Sequence, residues 1–275
     1  MRFPVVSVCL PAHNVVQYLA DTIQSVRSQT FQDWELVIAN GATTDDTERV
    51  LQEILCRQPD GRIRIFRNPG TFTMAENWNS ALSLARGEFL KLLCADDLMT
   101  SDCLARQVGA LQSHPAASLA SGTRVIINRH GRPLFHRNGI GLSGVNSGKD
   151  IIRRCVYAGT NLIGDPVNVM WRRSAMEKAG LFDPGIVYCT DLDFWLRLLA
   201  GGDLYFDRDP VGYYRIHPSA ATSRLGRVIV EDFLHTVRKQ IASGILEVSP
   251  HDMRGIRWRA WLKNAIRQIL YRVLG

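Results

Sequence analysis

The segment Phe89–Asp97 reads Phe-Leu-Lys-Leu-Leu-Cys-Ala-Asp-Asp, an apolar run of strand length that ends in two adjacent carboxylates. Earlier apolar runs of similar length occupy Val5–Leu10, Glu35–Ala39 and Ile63–Phe66. Between these runs the apolar residues recur at helical spacing, for example in the segment 43–56. Short strands that alternate with helices predict right-handed βαβ units, and therefore an α/β fold with a mainly parallel sheet flanked by helices.

The expected ligand sites lie where the strands of this sheet end, because ligands bind outside the carboxyl ends of parallel strands. The rule selects Pro11–Asn14, Asn40–Asp45 and Ala95–Leu98. Asp96 and Asp97 follow a strand expected to be central, where burying two carboxylates is costly unless a cation compensates. A divalent metal, Mg or Mn, held by oxygen ligands and substrate phosphates would do so. The alternative is an N-cap for the next helix, but a cap needs only one carboxylate.

The second half of the chain is predicted to contain a hairpin and several helices. The hairpin joins Arg124–Asn128 to Pro133–Phe135. Helical patterns follow at 150–157, 174–179 and 191–199, and from Val228 onward the whole sequence reads as helix.

The net charge of +7 is concentrated near the C-terminus. Residues 254–275 contain no acidic residue but six basic ones, namely Arg254, Arg257, Arg259, Lys263, Arg267 and Arg272. The rest of the chain is close to neutral, so a nucleic-acid-binding surface is not predicted. No apolar run approaches the roughly 18 residues that span a bilayer, and Pro4 and Pro11 bracket a first run that fits a strand better than a secretory leader. A cytoplasmic protein is expected, with its cysteines acting as small apolar side chains.

The last segment is also amphipathic. Its apolar residues recur at i, i+3, i+4 and i+7, at Trp258, Trp261, Leu262, Ala265, Ile266, Ile269, Val273 and Leu274, while the cations lie largely off that face. Trp and Leu opposite Lys and Arg are typical of a helix that lies on a membrane surface. The alternative is a helix docked on its own domain or on a second subunit, which would make the protein a homo-oligomer.

Five segments, in this order, carry a resemblance to a known family. They are Val6–Asn14 (Val-Ser-Val-Cys-Leu-Pro-Ala-His-Asn), Leu36–Thr47 (Leu-Val-Ile-Ala-Asn-Gly-Ala-Thr-Thr-Asp-Asp-Thr), Ala85–Asp97, Asp191–Arg197 (Asp-Leu-Asp-Phe-Trp-Leu-Arg) and Tyr214–His217 (Tyr-Arg-Ile-His). Together they resemble the family 2 inverting glycosyltransferases of the GT-A fold. The resemblance covers about residues 5–220. Each motif alone is weak, whereas five in the right order are specific.

The resemblance implies roles for residues at the first three strand ends. Pro11, His13 and Asn14 would line the pocket for the nucleotide base, which Asn40 would also face. Asp97 matches the direct metal ligand, and Asp96 matches a residue nearer the ribose or the water shell of the metal. Asn77 is a further candidate for the donor pocket.

The resemblance also implies roles for later residues. Asp191 matches the catalytic base. The alternative is that Asp191 is a helix N-cap and Asp193 its solvated neighbour. Arg215 and His217 match a segment that closes over the diphosphate. Two positions depart from the family pattern: Asn40 stands where most relatives carry Asp, which leaves the base of the donor open, and Thr190 replaces an acidic residue.

The expected function is inverting transfer of a sugar from a UDP- or dTDP-linked donor to a hydroxyl of a glycan or lipid-linked acceptor, in bacterial surface polysaccharide or lipid-linked glycan assembly. The expected organisation is a catalytic domain over 1–225, with a donor half over 1–98 and an acceptor half over 99–225, and a helical tail over 226–275. A non-catalytic nucleotide-sugar binding module and a nucleotidyltransferase are the alternatives. The latter normally has a Gly-rich phosphate loop after its first strand, which Pro11-Ala-His-Asn is not.

Overall fold

A computed structural model of the chain describes residues 3–41, 43–68, 70, 73–137, 139, 141–218, 220, 225–226 and 228–274. The strands are β1 Val6–Ala12, β2 Trp34–Gly41, β3 Ile63–Asn68, β4 Phe89–Leu92, β5 Leu98–Met99, β6 Ala117–Ile127, β7 Pro133–Arg137, β8 Gly144–Asn146, β9 Met170–Arg172 and β10 Asp203–Arg215. The helices are α1 Leu19–Arg27, α2 Thr47–Arg57, α3 Met74–Ser83, α4 Cys103–Ser113, α5 Gly148–Ala158, α6 Arg173–Ala179, α7 Thr190–Leu199, α8 Val228–Ala242 and α9 Pro250–Leu274.

One mixed sheet organises the molecule, in the order β3-β2-β1-β4-β9-β6-β10-β5. Its long ladders, β1–β2, β2–β3 and β6–β10, are parallel, so the predicted α/β class with a mainly parallel sheet is confirmed. β1 sends Val8 and Leu10 into one part of the core and Cys9 into the other. A strand buried on both faces is expected where helices cover both sides of a sheet.

The strand register brings the first ligand segments together. Ala12 pairs with Asn40 at the ends of β1 and β2, and Cys9 pairs with Leu92 at the end of β4. Because β1 lies between β2 and β4, the loops that follow these three strands meet at one edge of the sheet, as predicted. Ala42, in the second of these loops, lies outside the described residues.

The longest strand, β10, is absent from the prediction. It pairs with β6 in parallel, with register shifts around Asp207 and Pro210, and with β5 in the antiparallel direction. The polar residues Asp207, Arg208 and Asp209, followed by Pro210, interrupt its apolar pattern, which hides a strand from periodicity. The strand matters to the site because it ends at Arg215, beside Asp97.

The prediction of continuous helix from Val228 onward is wrong for the segment 243–249, which separates α8 from α9. Gly244 has a φ of 73°, in the left-handed region that glycine adopts without steric cost. Pro250 then begins α9, where a missing backbone N–H is tolerated. The tail is therefore a helical hairpin rather than one rod.

The tail hairpin, formed by α8 and α9, packs on the rest of the molecule. Ile256 and Ala260 of α9 are buried, and a Cβ at Gly159, which follows α5, would lie 2.5 Å from the backbone nitrogen of Ala260. Glycine at this position therefore allows the two helices to touch. Trp258 and Trp261 face outward. Within the described residues, no helix combines the length and apolarity needed to cross a bilayer.

Candidate active site

The acidic pair after β4 lies at the floor of the site. One carboxylate oxygen of Asp96, one of Asp97 and the sulfur of Cys94 all lie within 4.8 Å of one another. The side chain of Asp97 is buried, and its Oδ1 accepts a hydrogen bond of 2.9 Å from the backbone N–H of Arg215. Burial, and then the neighbouring charge of Asp96, hold the pKa of Asp97 well above its usual range. A buried carboxylate next to a second one is a position that a cation would stabilise.

The chemistry of this group fits a hard divalent ion. Carboxylate oxygens are the ligands that Mg²⁺ and Mn²⁺ prefer. The Cys94 thiol does not compete as a thiolate, because burial and the adjacent carboxylates raise its pKa well above the usual value. Asp97 and Asp96 are therefore the residues that could hold a metal here.

Arg215 and His217 support the acidic pair from β10. The Arg215 Nε donates to the backbone oxygen of Asp96 at 2.8 Å, and its guanidinium stacks 4.4 Å from the ring centroid of Tyr18. His217 Nε2 lies 3.0 Å from Asp96 Oδ2. Both side chains are buried against Asp96 and do not line the cavity described below, so their predicted contact with the diphosphate remains a prediction.

The loops after β1 and β2 are tied to each other. His13 Nδ1 donates to the Gly41 carbonyl at 2.7 Å. Asn14, at a φ of 53°, accepts from the backbone N–H of Thr44 at 2.8 Å, which stabilises a left-handed conformation that asparagine tolerates. Asn40 is buried and donates to Glu48 Oε2 at 2.5 Å. Its own Oδ1 is buried and has no hydrogen-bond partner among the described residues.

A cavity of about 620 Å³ connects these elements. Several predicted site residues line it, namely Pro11, His13, Asn77, Asp96, Asp97 and Asp191. Asn14 and Asn40 lie beside it in the first two loops and do not line it. The structure therefore brings the candidate metal ligands and the candidate base onto the wall of one cavity.

Asp191 stands in the first turn of α7. Its Oδ1 accepts from the backbone N–H of Leu192 at 2.7 Å, and its Oδ2 accepts from Asn161 Nδ2 at 3.1 Å. Burial, followed by the nearby charge of Asp165, raises the pKa of Asp191 to about 7. A carboxyl group with this pKa can act as a general base at neutral pH.

The expectation that Asp193 is solvated is wrong, because its side chain is fully buried. Asp193 accepts from Arg197 Nε at 2.9 Å, Lys239 Nζ at 3.0 Å and Gln240 Nε2 at 2.7 Å. The bonds from Lys239 and Gln240 join α7, which carries Asp191, to α8 of the tail. Thr190, the second position that departs from the family pattern, is buried. Its hydroxyl group donates to the backbone carbonyl of Ile186 at 2.7 Å.

Four residues of the cavity wall are absent from the sequence-based candidates. Asp165 precedes the short turn Pro166–Asn168 and forms an ion pair of 2.6 Å with Arg124. Arg137, at the end of β7, and Arg267, on α9, also line the cavity. None of the four belongs to a motif, and Arg267 looked like one cation among several in the tail. Only the packing of distant segments brings them together.

The profile of the family described as Glycosyl transferase family 2 matches residues 7–180, and the chain belongs to this family. The uncharacterized protein MT1568 of Mycobacterium tuberculosis is 27% identical over 231 residues, which cover 81% of this chain and 70% of that protein. Two further curated relatives are matched over less than half of their own length, at 13% and 40%.

Two solved structures have a similar fold. The S. aureus TarS fragment 1–349 in complex with UDP-GlcNAc aligns over 95% of this chain and 72% of that one, with a TM-score of 0.68 and 15% identity. The mannosyltransferase PcManGT from Pyrobaculum calidifontis, in complex with GDP-Man and Mn²⁺, aligns over 100% and 74%, with a TM-score of 0.65 and 18% identity. The fold is that of the GT-A glycosyltransferases, and the chain is a glycosyltransferase of family 2.

Proposed function

We propose that this glycosyltransferase moves a sugar from a nucleotide-sugar donor to a hydroxyl acceptor, with inversion and with a divalent metal, Mg or Mn. One observation carries the proposal: the acidic pair Asp96–Asp97 and the half-buried carboxyl group of Asp191 line the same cavity. The acidic pair suits the diphosphate end of a donor, and Asp191 suits the acceptor hydroxyl.

The two carboxylate sites divide the chemistry. Displacement of a nucleoside diphosphate from the anomeric carbon places negative charge on the leaving phosphate. A divalent ion on Asp97 and Asp96 would supply Lewis-acid stabilisation of that charge. Asp191 takes the proton of the attacking hydroxyl as general base. A single attack from the face opposite the leaving group inverts the anomeric configuration.

The donor nucleotide is proposed to be UDP or dTDP. The loops after β1 and β2 line the cavity through Pro11, His13 and Gly41. The TarS fragment, whose fold is similar, is in complex with UDP-GlcNAc, which supports a uridine donor.

The outward face of α9 suggests a cytoplasmic enzyme held at the inner face of the membrane. Trp258, Trp261 and Ile269 are 61%, 59% and 63% exposed. Arg254 and Lys263 are exposed on the same helix. An exposed apolar strip flanked by cations fits the interface of a bilayer that contains anionic lipid. This position would suit a lipid-linked acceptor in the assembly of a surface glycan. The side chains of Arg272 and Val273 lie outside the described residues.

The test is a panel of nucleotide-sugars incubated with the protein and Mn²⁺, with slow release of free sugar as the readout. An enzyme of this design hydrolyses its own donor slowly when no acceptor is present, and EDTA stops the reaction. A nucleotide-sugar binding module would be stabilised by the donor without consuming it. Absence of both hydrolysis and stabilisation across the panel would contradict the proposal.

A further inference from the structure

Cationic side chains lie around Asp191 in the cavity, which four carboxylates, Asp96, Asp97, Asp165 and Asp191, also line. Three guanidinium groups line it, from Arg124 on β6, Arg137 on β7 and Arg267 on α9. The Arg124 guanidinium is engaged, since its Nε lies 2.6 Å from Asp165 Oδ2. The remaining two come from segments that are 130 positions apart in the sequence and meet only through the packing of α9.

Neither Arg137 nor Arg267 forms an ion pair within the described part of the chain. The one hydrogen bond of the Arg267 side chain there joins Nη2 to Thr160 Oγ1 at 3.4 Å, which is long. Burying a guanidinium without an anion is costly. The charge of Arg124, together with burial, lowers the pKa of Arg137, while the charge of Asp165 acts in the opposite direction on both Arg137 and Arg267.

Hydroxyl donors stand beside these cations. Tyr214 and Tyr271 also line the cavity, and a hydrogen bond between their side chains is among the interactions that act on Tyr271. The two guanidinium groups and the nearby phenolic O–H groups form a set of hydrogen-bond donors on the cavity wall. Such a set matches the oxygens of a carboxylate or a phosphate.

The position of these arginines points to the acceptor rather than to the donor. Arg124 and Arg267 both act to lower the pKa of Asp191, so they lie within electrostatic reach of the candidate base. At Asp97 the arginine that acts in this way is Arg215, on β10. The acidic pair therefore has its own neighbouring cation, apart from Arg137 and Arg267.

We propose that Arg137 and Arg267 form an oxyanion subsite that selects an acidic acceptor, one that carries a carboxylate or a phosphate close to the hydroxyl that receives the sugar. This inference rests on the proposed function, because it assigns the acceptor of the same cavity. It gives α9 a direct part in substrate selection, since Arg267 belongs to the tail.

The experiment uses two matched pairs of probes, measured by saturation-transfer NMR with and without Mn²⁺ and UDP. The first pair is methyl β-glucuronide and methyl β-glucoside, which differ in a carboxylate. The second is glycerol 3-phosphate and glycerol, which differ in a phosphate. The anionic member of at least one pair should bind about tenfold more tightly than its neutral partner, and the pair that responds identifies the anion.

Variants then assign the effect to the two arginines. Arg137→Gln and Arg267→Gln should each weaken binding of the anionic probe about tenfold and leave the neutral probe unchanged. Arg238→Gln, an exposed cation on α8, is the matched control and should change neither. If Arg267→Gln does not fold, Arg137→Gln by itself tests the anion subsite, because Arg137 lies outside the packed tail.

Three results would overturn the inference: equal binding of charged and neutral probes, no binding of either anion, or unchanged binding in the variants. A loss of UDP affinity in the variants with anion binding intact would also overturn it, because the arginines would then hold the donor. Binding of the anionic probes is also measured without nucleotide, so this test remains valid even if no nucleotide-sugar binds. Failure of the proposed function can therefore be distinguished from failure of the anion subsite.

Discussion

The two ends of the cavity are built in different ways. At the proposed donor end, Asp96 and Asp97 are adjacent in the sequence, and the loops that meet them follow neighbouring parallel strands. At the proposed acceptor end, Arg124, Asp165 and Asp191 come from three separate elements, and Arg267 extends into the cavity from the tail. The donor end is therefore fixed by the order of the strands, whereas the acceptor end depends on how the second half of the chain and the tail pack.

The electrostatics of the two ends differ as well. Burial raises the pKa of both Asp97 and Asp191. Next to Asp97 stands a second carboxylate, so that end is suited to a cation. Around Asp191 the charge of Asp165 is offset by Arg124 and Arg267, and the pKa remains at about 7, where the group can exchange a proton. Each end therefore favours one half of the transfer reaction.

The largest effect is expected at the donor end. Asp97→Asn removes a charged metal ligand at a buried position, and transfer should fall by about 10³-fold or more because stabilisation of the leaving diphosphate is lost. The rate is measured with the donor selected by the panel, in Mn²⁺ and in EDTA.

The matched control for this substitution is Asp209→Asn, whose side chain is 84% exposed on β10. It should retain the wild-type rate. Full activity of Asp97→Asn, or a wild-type rate that EDTA leaves unchanged, would contradict the proposal that a metal binds at the donor end.

A loss of about 10²–10⁴-fold is expected at the acceptor end, the usual contribution of a general base. Asp191→Asn preserves the shape of the side chain and should bind the donor as tightly as the wild type while transfer is slowed. Turnover and donor affinity are measured separately. Weaker donor binding with an unchanged rate would mean that Asp191 holds substrate instead of accepting a proton.

A smaller effect, about tenfold, is expected from pH. The active form of Asp191 is the carboxylate, and its pKa is raised to about 7, so the active fraction falls as the pH drops through 7. At pH 6 only about one molecule in ten carries the base form, and kcat/KM should be about a tenth of its alkaline plateau. A profile that is flat from pH 5.5 to 8 would contradict this assignment.

The first four strands, and the meeting of the loops that follow them, could largely be predicted from the sequence, because their signals are local. β1 to β4 are apolar runs with clear ends, and the pair Asp96–Asp97 lies in the loop after β4. β10 could not be found, since Asp207, Arg208 and Pro210 break its apolar pattern. Asp165 and Arg137 lie in no motif, and only tertiary packing gives them a place in the site. Asp193 looked solvated because its partners, Lys239 and Gln240, are distant in the sequence.

The smallest effect concerns the outer face of the tail. Trp258→Gln combined with Trp261→Gln should release the protein from anionic liposomes at low salt, because these exposed rings would enter the interface. Substitution is preferred to deletion of residues 254–275, since α9 lines the cavity. Transfer to a water-soluble acceptor should be unchanged.

Sedimentation with vesicles of increasing anionic lipid content measures this effect, and about 0.15 M salt should weaken it. If the intact protein does not bind the vesicles and the double variant changes its oligomeric state, the outer face of α9 contacts a second subunit instead.

The assignment of the metal to one end of the cavity and of the base to the other is tested most directly by calorimetry. UDP, or the nucleotide that the panel selects, is titrated into the protein with and without Mn²⁺. In the wild type and in Asp191→Asn, Mn²⁺ should raise the affinity by the same factor, about tenfold or more. In Asp97→Asn, Mn²⁺ should have no effect on the affinity. Two results would contradict the assignment of the metal to Asp97 and of the base to Asp191. One is a nucleotide affinity that does not depend on Mn²⁺ in any of the three proteins, and the other is a loss of the Mn²⁺ effect in Asp191→Asn.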